Sequence, residues 1–442
     1  MGNRAHWSGR FAFILAAAGS AIGLGNLWKF PYVTGVNGGG AFVLLYLACI
    51  AAVGLPILIA EIYIGQNSQS NAVQSFEKLY KKGTAWRAPG FMGLIAAILI
   101  LSFYSVVGGW VMDFEYRSIM MEFKSASGEE ISKMLGGLFE NPGRMAIWHT
   151  IFMGLTVGIV VGGVKDGLER WNKILMPTLF LILVILLVRS FYLEGFSDAV
   201  SFLFQPDFSK LTPASILEAV GHSFFTLSLG MGAMITYGSY LDKKENLLRT
   251  AVTVAFLDTF IALIAGLVIF SIVFTYGLEP GGGPGLMFQT LPGLFAQLPG
   301  GSYISIGFFF MVLFAALSSA VSILEVSVSY FSESKNLDRK KVAIVSGGII
   351  YIMGYLPLLS FNHLSDVKVL GLNFFDLFDK ISSSYLLPIG GMLISLFMGW
   401  KLSRKAVEKV VGGPGLAATG LLWLLRVVAP LAVLAVIING II

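Results

Sequence analysis

Charge is scarce in this sequence. Only 12% of its 442 residues are Asp, Glu, Lys or Arg, while 56% are hydrophobic. A soluble domain carries about 25% charged residues, so the composition excludes that class. Cysteine is nearly absent. Cys49 stands alone in an apolar run, which excludes an internal disulfide and a thiolate metal site. The four histidines, His6, His149, His222 and His363, show no metal-ligand spacing, and neither a P-loop nor a nucleophile elbow occurs. These gaps argue against an enzyme. The first apolar run lacks an A-x-A-type end and reads as part of the protein, not as a cleavable signal. The net charge of +5 comes mostly from bases in short loops and gives no sign of nucleic-acid binding.

What is abundant is apolar sequence, with a mean hydropathy of +0.80. Runs of about 20 residues, the length needed to cross a bilayer as helix, recur throughout. Eleven spans are expected, at about 11–36, 40–65, 89–116, 145–163, 168–190, 215–240, 250–276, 302–332, 341–361, 374–400 and 416–441. They are called spans one to eleven below. The N-terminus and every second loop (66–88, 164–173, 241–249, 333–341 and 401–409) hold 20 of the 30 lysines and arginines. By the positive-inside rule the N-terminus is expected in the cytoplasm and the C-terminus outside. The longer segments 117–144 and 277–301 are then outer loops.

Two spans contain residues that a lipid-facing helix would avoid. Span one reads Gly19-Ser20-Ala21-Ile22-Gly23-Leu24-Gly25-Asn26, then Lys29-Phe30-Pro31. Glycine weakens a helix by roughly 1 kcal/mol relative to alanine, and the bilayer offers exposed backbone no water. Span six repeats the pattern in Ser228-Leu229-Gly230-Met231-Gly232. Breaks at matching places in two five-span halves imply an inverted repeat, the arrangement that marks a secondary transporter's binding site. Close packing of small residues would explain either break alone. It explains the pair less well. The expected fold is therefore an all-α integral membrane protein of eleven transmembrane helices. It is a single transporter domain over 1–442, with repeat one at about 11–190, repeat two at about 215–400 and an extra helix at about 416–441.

Trp7, the run Gly19–Pro31, Asn37-Gly-Gly-Gly-Ala-Phe42, Gly54-Leu-Pro56 and Glu61 resemble the neurotransmitter:sodium symporter family. Phe225–Tyr240 is similar to its second signature and Ala315-Ala-Leu-Ser-Ser319 to its third. The likeness runs in order from residue 4 to about 400. Many relatives have twelve spans where this chain has eleven, as some bacterial members do.

The resemblance implies a site for two sodium ions and one amino acid. The first sodium would be held by the Ala21 carbonyl, Asn26, Thr226 and Asp258. The second would be held by carbonyls of Gly19, Ile22 and Ala315 with the hydroxyls of Ser318 and Ser319. Oxygen ligands suit a hard cation. The substrate carboxylate would meet the amides of Leu24 and Gly25, at a half-helix N-terminus, and the Tyr104 hydroxyl. Its ammonium would meet carbonyls near Ala21 and Phe225 and the Ser228 hydroxyl. Ser20, Thr226 and Ser322 complete the expected binding set. Monoamine carriers of the family have Asp at the position of Gly23, so glycine there favours amino acids. The side-chain pocket would draw on Ile100, Tyr104, Phe225, Met231, Ser319, Ser322 and Ile323. It contains no charge, which favours large neutral aliphatic or aromatic substrates. The alternatives are another small zwitterion such as GABA or glycine, a channel built on the same breaks, or a sensor that binds without transport.

An intramembrane carboxylate is costly and reads as functional. Asp258 occupies a position where many relatives have Asn, and chloride-dependent animal members hold a chloride nearby. The matching chloride positions are Tyr46, His222, Thr226 and Ala262, with no serine at Ala262. No chloride is expected, since an anionic Asp258 would supply the negative charge. His222 reads as a hydrogen-bonded core histidine. Glu61 is expected as a structural acid that accepts from amides at both breaks. Glu325 has no family role, and a water-facing position on the inner path is expected for it. Lys29 and Asp379 would latch the outer side, with Tyr104 and Phe225 as the lid. Arg4 and Glu333, with Trp7 and Tyr240, would close the inner side. Gly167 and Pro177 would let the start of span five unwind. The resemblance also implies a bacterial inner (plasma) membrane, with the bilayer and a small amino acid as partners.

Overall fold

The computed structural model describes residues 5–280 and 285–441, and every regular element among them is helical. Among the described residues nine helices are long and apolar enough to cross a membrane: Gly40–Ser68, Ala85–Ile119, Pro142–Val161, Val164–Ser190, Leu247–Thr275, Gly301–Lys335, Arg339–Leu359, Phe374–Lys401 and Leu416–Asn439. The pair Arg10–Ala21 and Gly25–Val36, bent by 50°, makes a tenth span. The expected eleventh, span six, does not qualify as one helix. It is divided into Pro213–Thr226 and Ala233–Gly238. Length and composition thus give nine or ten crossings, because a span interrupted over six residues leaves two pieces that are each too short.

The breaks follow from their residues. Gly230 and Gly232 have φ of +79° and +77°, in the left-handed region that glycine enters without a Cβ penalty. A Cβ at Gly230 would come within 2.2 Å of the Leu387 carbonyl oxygen on span ten. Ser228 also has positive φ, at +53°, and pays for a strained backbone. Its hydroxyl donates to the Ser20 carbonyl at 2.7 Å, so the two broken spans are fastened at their breaks. Glu61, fully buried on span two, accepts from the Gly230 amide through Oε1 at 2.6 Å. Its Oε2 meets no donor among the described residues. The expected bonding at both breaks is corrected to the span-six break alone.

Spans three and eight, Ala85–Ile119 and Gly301–Lys335, are buried over most of their length and form the spine of the bundle. At 35 residues each they are about 50 Å long and outrun the roughly 30 Å hydrocarbon core. Spans four, five, nine and eleven are less buried, with under two fifths of their residues fully covered by protein. The long segments expected as loops contain helices of their own, Gly128–Phe139 and Leu291–Gln297. The first is closed by a capping box from Ser127 to Glu130.

Candidate functional site

Span one stops helically at Ala21, and Ile22 is extended with φ −73° and ψ 100°. The last carbonyls of a helix have no intrahelical donor, so those around Gly19–Ile22 are available to other partners. From span eight the Ser319 hydroxyl lies 3.4, 3.2 and 3.5 Å from the carbonyl oxygens of Gly19, Ser20 and Ile22. The adjacent Ser318 turns back to the Ala315 carbonyl at 3.0 Å. Ser319 thus joins span eight to the Gly19 and Ile22 carbonyls of span one, while Ser318 and Ala315 bond to each other one turn apart on span eight.

A second cluster lies across the break, on span seven. Asp258 is fully buried. Its Oδ1 accepts from Asn26 Nδ2 at 2.8 Å and from the Thr226 hydroxyl at 3.0 Å. Oδ2 accepts from the same hydroxyl at 3.0 Å. Asn26 Nδ2 also donates to the Asp258 carbonyl at 3.0 Å, and Asn26 Oδ1 accepts from the Gly23 amide at 3.1 Å. No Lys or Arg pairs with Asp258 among the described residues. A buried carboxylate surrounded by neutral groups favours a cation. The carboxylate, carboxamide and hydroxyl gathered here offer oxygens of the kind a hard cation takes.

Between the clusters lies a small cavity of about 30 Å³. Ser20, Ala21, Leu24, Gly25, Ile100, Tyr104, Phe225, Ser228, Met231, Ser319 and Ile323 line it, with Gly23. That is all but two of the residues expected around a substrate. Thr226 is excluded because its hydroxyl is turned to Asp258. Ser322 sits behind the wall, accepting from the Ser20 hydroxyl at 2.7 Å and donating to the Ser319 carbonyl at 2.8 Å. The Tyr104 hydroxyl is buried and has no partner among the described residues. Leu24 and Gly25 open the second half-helix of span one, where the first amides also have no carbonyl a turn earlier.

Above this cavity, separated by Tyr104 and Phe225, is one of about 230 Å³ that Lys29 and Asp379 both line. The expected ion pair between them is not formed. The Lys29 ammonium stands over the Phe225 ring, 4.7 Å from its centroid, a favourable cation–π placement. Asp379 Oδ1 accepts from the Ser383 hydroxyl at 2.7 Å. Nearby, His222 is buried against Phe30 and Tyr46 at ring distances of 5.9 and 5.2 Å. Neither of its ring nitrogens has a hydrogen-bond partner among the described residues, which corrects the expected hydrogen-bonded histidine.

The N-terminal face is shut. Trp7 donates from its indole to the Tyr237 carbonyl at 3.0 Å and from its amide to the Tyr240 carbonyl at 3.1 Å. Ser8 bonds Glu169 through both its amide and its hydroxyl. Arg4 lies outside the described residues, so its expected pairing with Glu333 is not seen. Glu333 accepts from the Asn71 amide at 2.9 Å. The sequence reading missed the strongest pair on this face. Arg339 grips Glu325 with Nη1 and Nη2 at 2.8 and 2.5 Å, and the Tyr240 hydroxyl donates to the same carboxylate at 2.6 Å. Glu325 is fully buried, so the expected water-facing position is corrected. The available signal was an acid inside an apolar span with an arginine just past its end. Span five begins as a π-helical turn over Val164–Glu169, and Pro177 lies inside the following helix. A Cβ at Gly167 would come 2.1 Å from the Ile159 carbonyl oxygen, so only glycine allows this wound arrangement.

Comparison with known proteins agrees with this architecture. The Sodium:neurotransmitter symporter family profile matches residues 4–129 and 118–442. An uncharacterized sodium-dependent transporter of Bacillus subtilis is 41% identical over 98% of this chain and 97% of its own length. The sodium- and chloride-dependent GABA transporter 2 of Homo sapiens is 26% identical over 92% of this chain and 75% of its own. The crystal structure of MhsT in complex with L-phenylalanine superposes with a TM-score of 0.92 at 46% identity, covering 99% of this chain and 100% of that one. This chain is a multi-pass membrane protein that belongs to the sodium:neurotransmitter symporter family of secondary transporters.

Proposed function

We propose that this protein takes up large neutral L-amino acids, aliphatic or aromatic, by sodium-coupled alternating access. The observation that carries the reading is the buried Tyr104 hydroxyl, which has no hydrogen bond among the described residues and lines one cavity with Gly23, Leu24 and Gly25 at the start of the second half-helix. It awaits an anionic oxygen, and a substrate carboxylate supplies one. The remaining wall, Ile100, Phe225, Met231 and Ile323, is apolar and adaptable; methionine in particular fits several shapes. The complex of the similar MhsT with L-phenylalanine supports the same class.

Two sodium ions fit the two oxygen clusters: one at Asn26, Thr226, Asp258 and the Ala21 carbonyl, one at Gly19, Ile22, Ala315, Ser318 and Ser319. The substrate carboxylate would complete the first. Asp258 supplies the negative charge that the family's chloride-dependent members take from solution, so transport is chloride-independent. The five-plus-five repeat would carry both sites between faces. The N-terminal face, closed by Trp7, Tyr240, Glu325 and Arg339, is the cytoplasmic side of the plasma membrane, and Gly167 and Pro177 let span five unwind when it opens.

The test is counterflow in proteoliposomes. Labelled phenylalanine or leucine should exchange only with sodium present and should resist competition by lysine and GABA. Replacing chloride by gluconate at constant sodium should leave the rate unchanged. Equal competition by GABA overturns the substrate class, and loss of uptake in gluconate overturns the role of Asp258. Sodium-dependent binding without exchange would make the protein a sensor.

A further inference from the structure

Away from the central site, span ten and the first half of span eleven border a cavity of about 310 Å³. Trp400, Arg404, Thr419, Trp423 and Arg426 stand on its wall. Arg426 lies ten residues into the helix Leu416–Asn439, level with Gly399 and Trp400 near the end of span ten. It makes no ion pair among the described residues. Its Nε donates to the Gly399 carbonyl at 2.6 Å and its carbon lies 5.0 Å from the Trp400 ring centroid. The planar group is thus held in one orientation. The two tryptophans are about 60% exposed although each sits on a membrane span. Arg404 donates to the Thr419 hydroxyl at 3.3 Å from the far side of the cavity. Its own segment carries Lys401, Arg404, Lys405 and Lys409 against the single acid Glu408.

We propose that this cavity binds the phosphate headgroup of an anionic phospholipid, with Arg426 as the charged anchor. The guanidinium fork matches phosphate oxygens in pairs, and the phosphate gives Arg426 the negative partner the chain does not provide. Exposed indoles belong at headgroup level, where Trp400 and Trp423 would border the glycerol and the upper acyl chains. A soluble anion has no use for them. A zwitterionic headgroup would bring its cation against a basic segment, whereas each lysine or arginine near an anionic leaflet contributes about 1 kcal/mol. Bound there, the lipid would join span ten to span eleven on the N-terminal face.

Native mass spectrometry of the detergent-purified full chain tests this, with phosphatidylglycerol, phosphatidylcholine and inorganic phosphate as probes. The wild type should retain phosphatidylglycerol in preference to phosphatidylcholine. Arg426→Gln should lose roughly tenfold in apparent affinity, the size of one charge-assisted contact. Inorganic phosphate should not displace the lipid. Trp423→Ala leaves the Arg426–Gly399 bond intact and serves if the first variant fails to fold; it should weaken retention by about threefold or more, as loss of indole contact predicts. Unchanged phosphatidylglycerol retention in the folded variant overturns the proposal, as does equal retention of phosphatidylcholine. Displacement by inorganic phosphate would reduce the cavity to a simple anion site.

Discussion

A Cβ at residue 23 would come 2.6 Å from the Ser319 hydroxyl oxygen and 3.2 Å from that of Tyr104. The space between those hydroxyls exists because residue 23 has no side chain. Gly23→Ala should fill it and reduce sodium-dependent phenylalanine binding at least about tenfold, since overpacking costs roughly 1–3 kcal/mol. An unchanged isotherm would mean the carboxylate binds elsewhere. Asp258→Asn keeps the shape of the cation cluster and removes its charge. The sodium concentration that half-saturates binding should rise by about tenfold, the worth of a charge-assisted contact. No rise would remove Asp258 from the cation shell. Both positions were legible in the sequence because their chemistry is anomalous for a membrane helix. The direction of Thr226 was not, since a hydroxyl beside a break can face either the cavity or span seven. Nor was the seat of Lys29, which rests on an aromatic ring instead of an acid.

At the level of helices, composition announces the two breaks but not what locks the bundle. Glycine pairs beside serine mark where backbone is released, and Ser228 meets Ser20 there. The Glu325–Arg339 pair depends on how the turn after span eight returns the chain, which no local pattern records. Because Glu325 is fully buried and Arg339 is 27% exposed, the pair behaves asymmetrically. Arg339→Gln should cost about 3–5 kcal/mol, as removal of one partner from a buried pair does. The double variant Glu325→Gln/Arg339→Gln should recover much of that loss, because no charge is left stranded. Thermal unfolding of the wild type and both variants in detergent measures the recovery, and a double variant less stable than Arg339→Gln would exclude this account. The same comparison reports on closure. Cysteines placed along span six should label faster from the N-terminal face once the pair is gone.

For the molecule as a whole, the central cavity is walled by spans one, three, six and eight together, so a ligand held there joins all four. Ligand that binds only the folded state stabilises it by mass action, about 2.7 kcal/mol at a hundredfold excess over Kd. Sodium with phenylalanine should therefore raise the unfolding temperature more than the sum of either alone. Simple additivity would mean that the two ligands do not share a site. The all-helical class and the family were readable from hydropathy and motif order. The span count was less so, because a broken helix is legible as a motif and invisible as a length.

The fastening of the breaks bears on how the protein is made. Ser20 is bonded to Ser228 and Ser322, 208 and 302 residues further along the chain. At about 5–20 residues per second, the first half-helix is synthesised roughly 15–60 s before its last partner. For the first 208 of those residues the Ser20 carbonyl lacks the Ser228 hydroxyl from which it accepts, and the bilayer core provides no water to replace it. The Ser20 hydroxyl meets Ser322 only once span eight has been made. The substrate site is thus among the last parts of the molecule to be completed, and a chain truncated before residue 319 inserts helices without acquiring a place to bind.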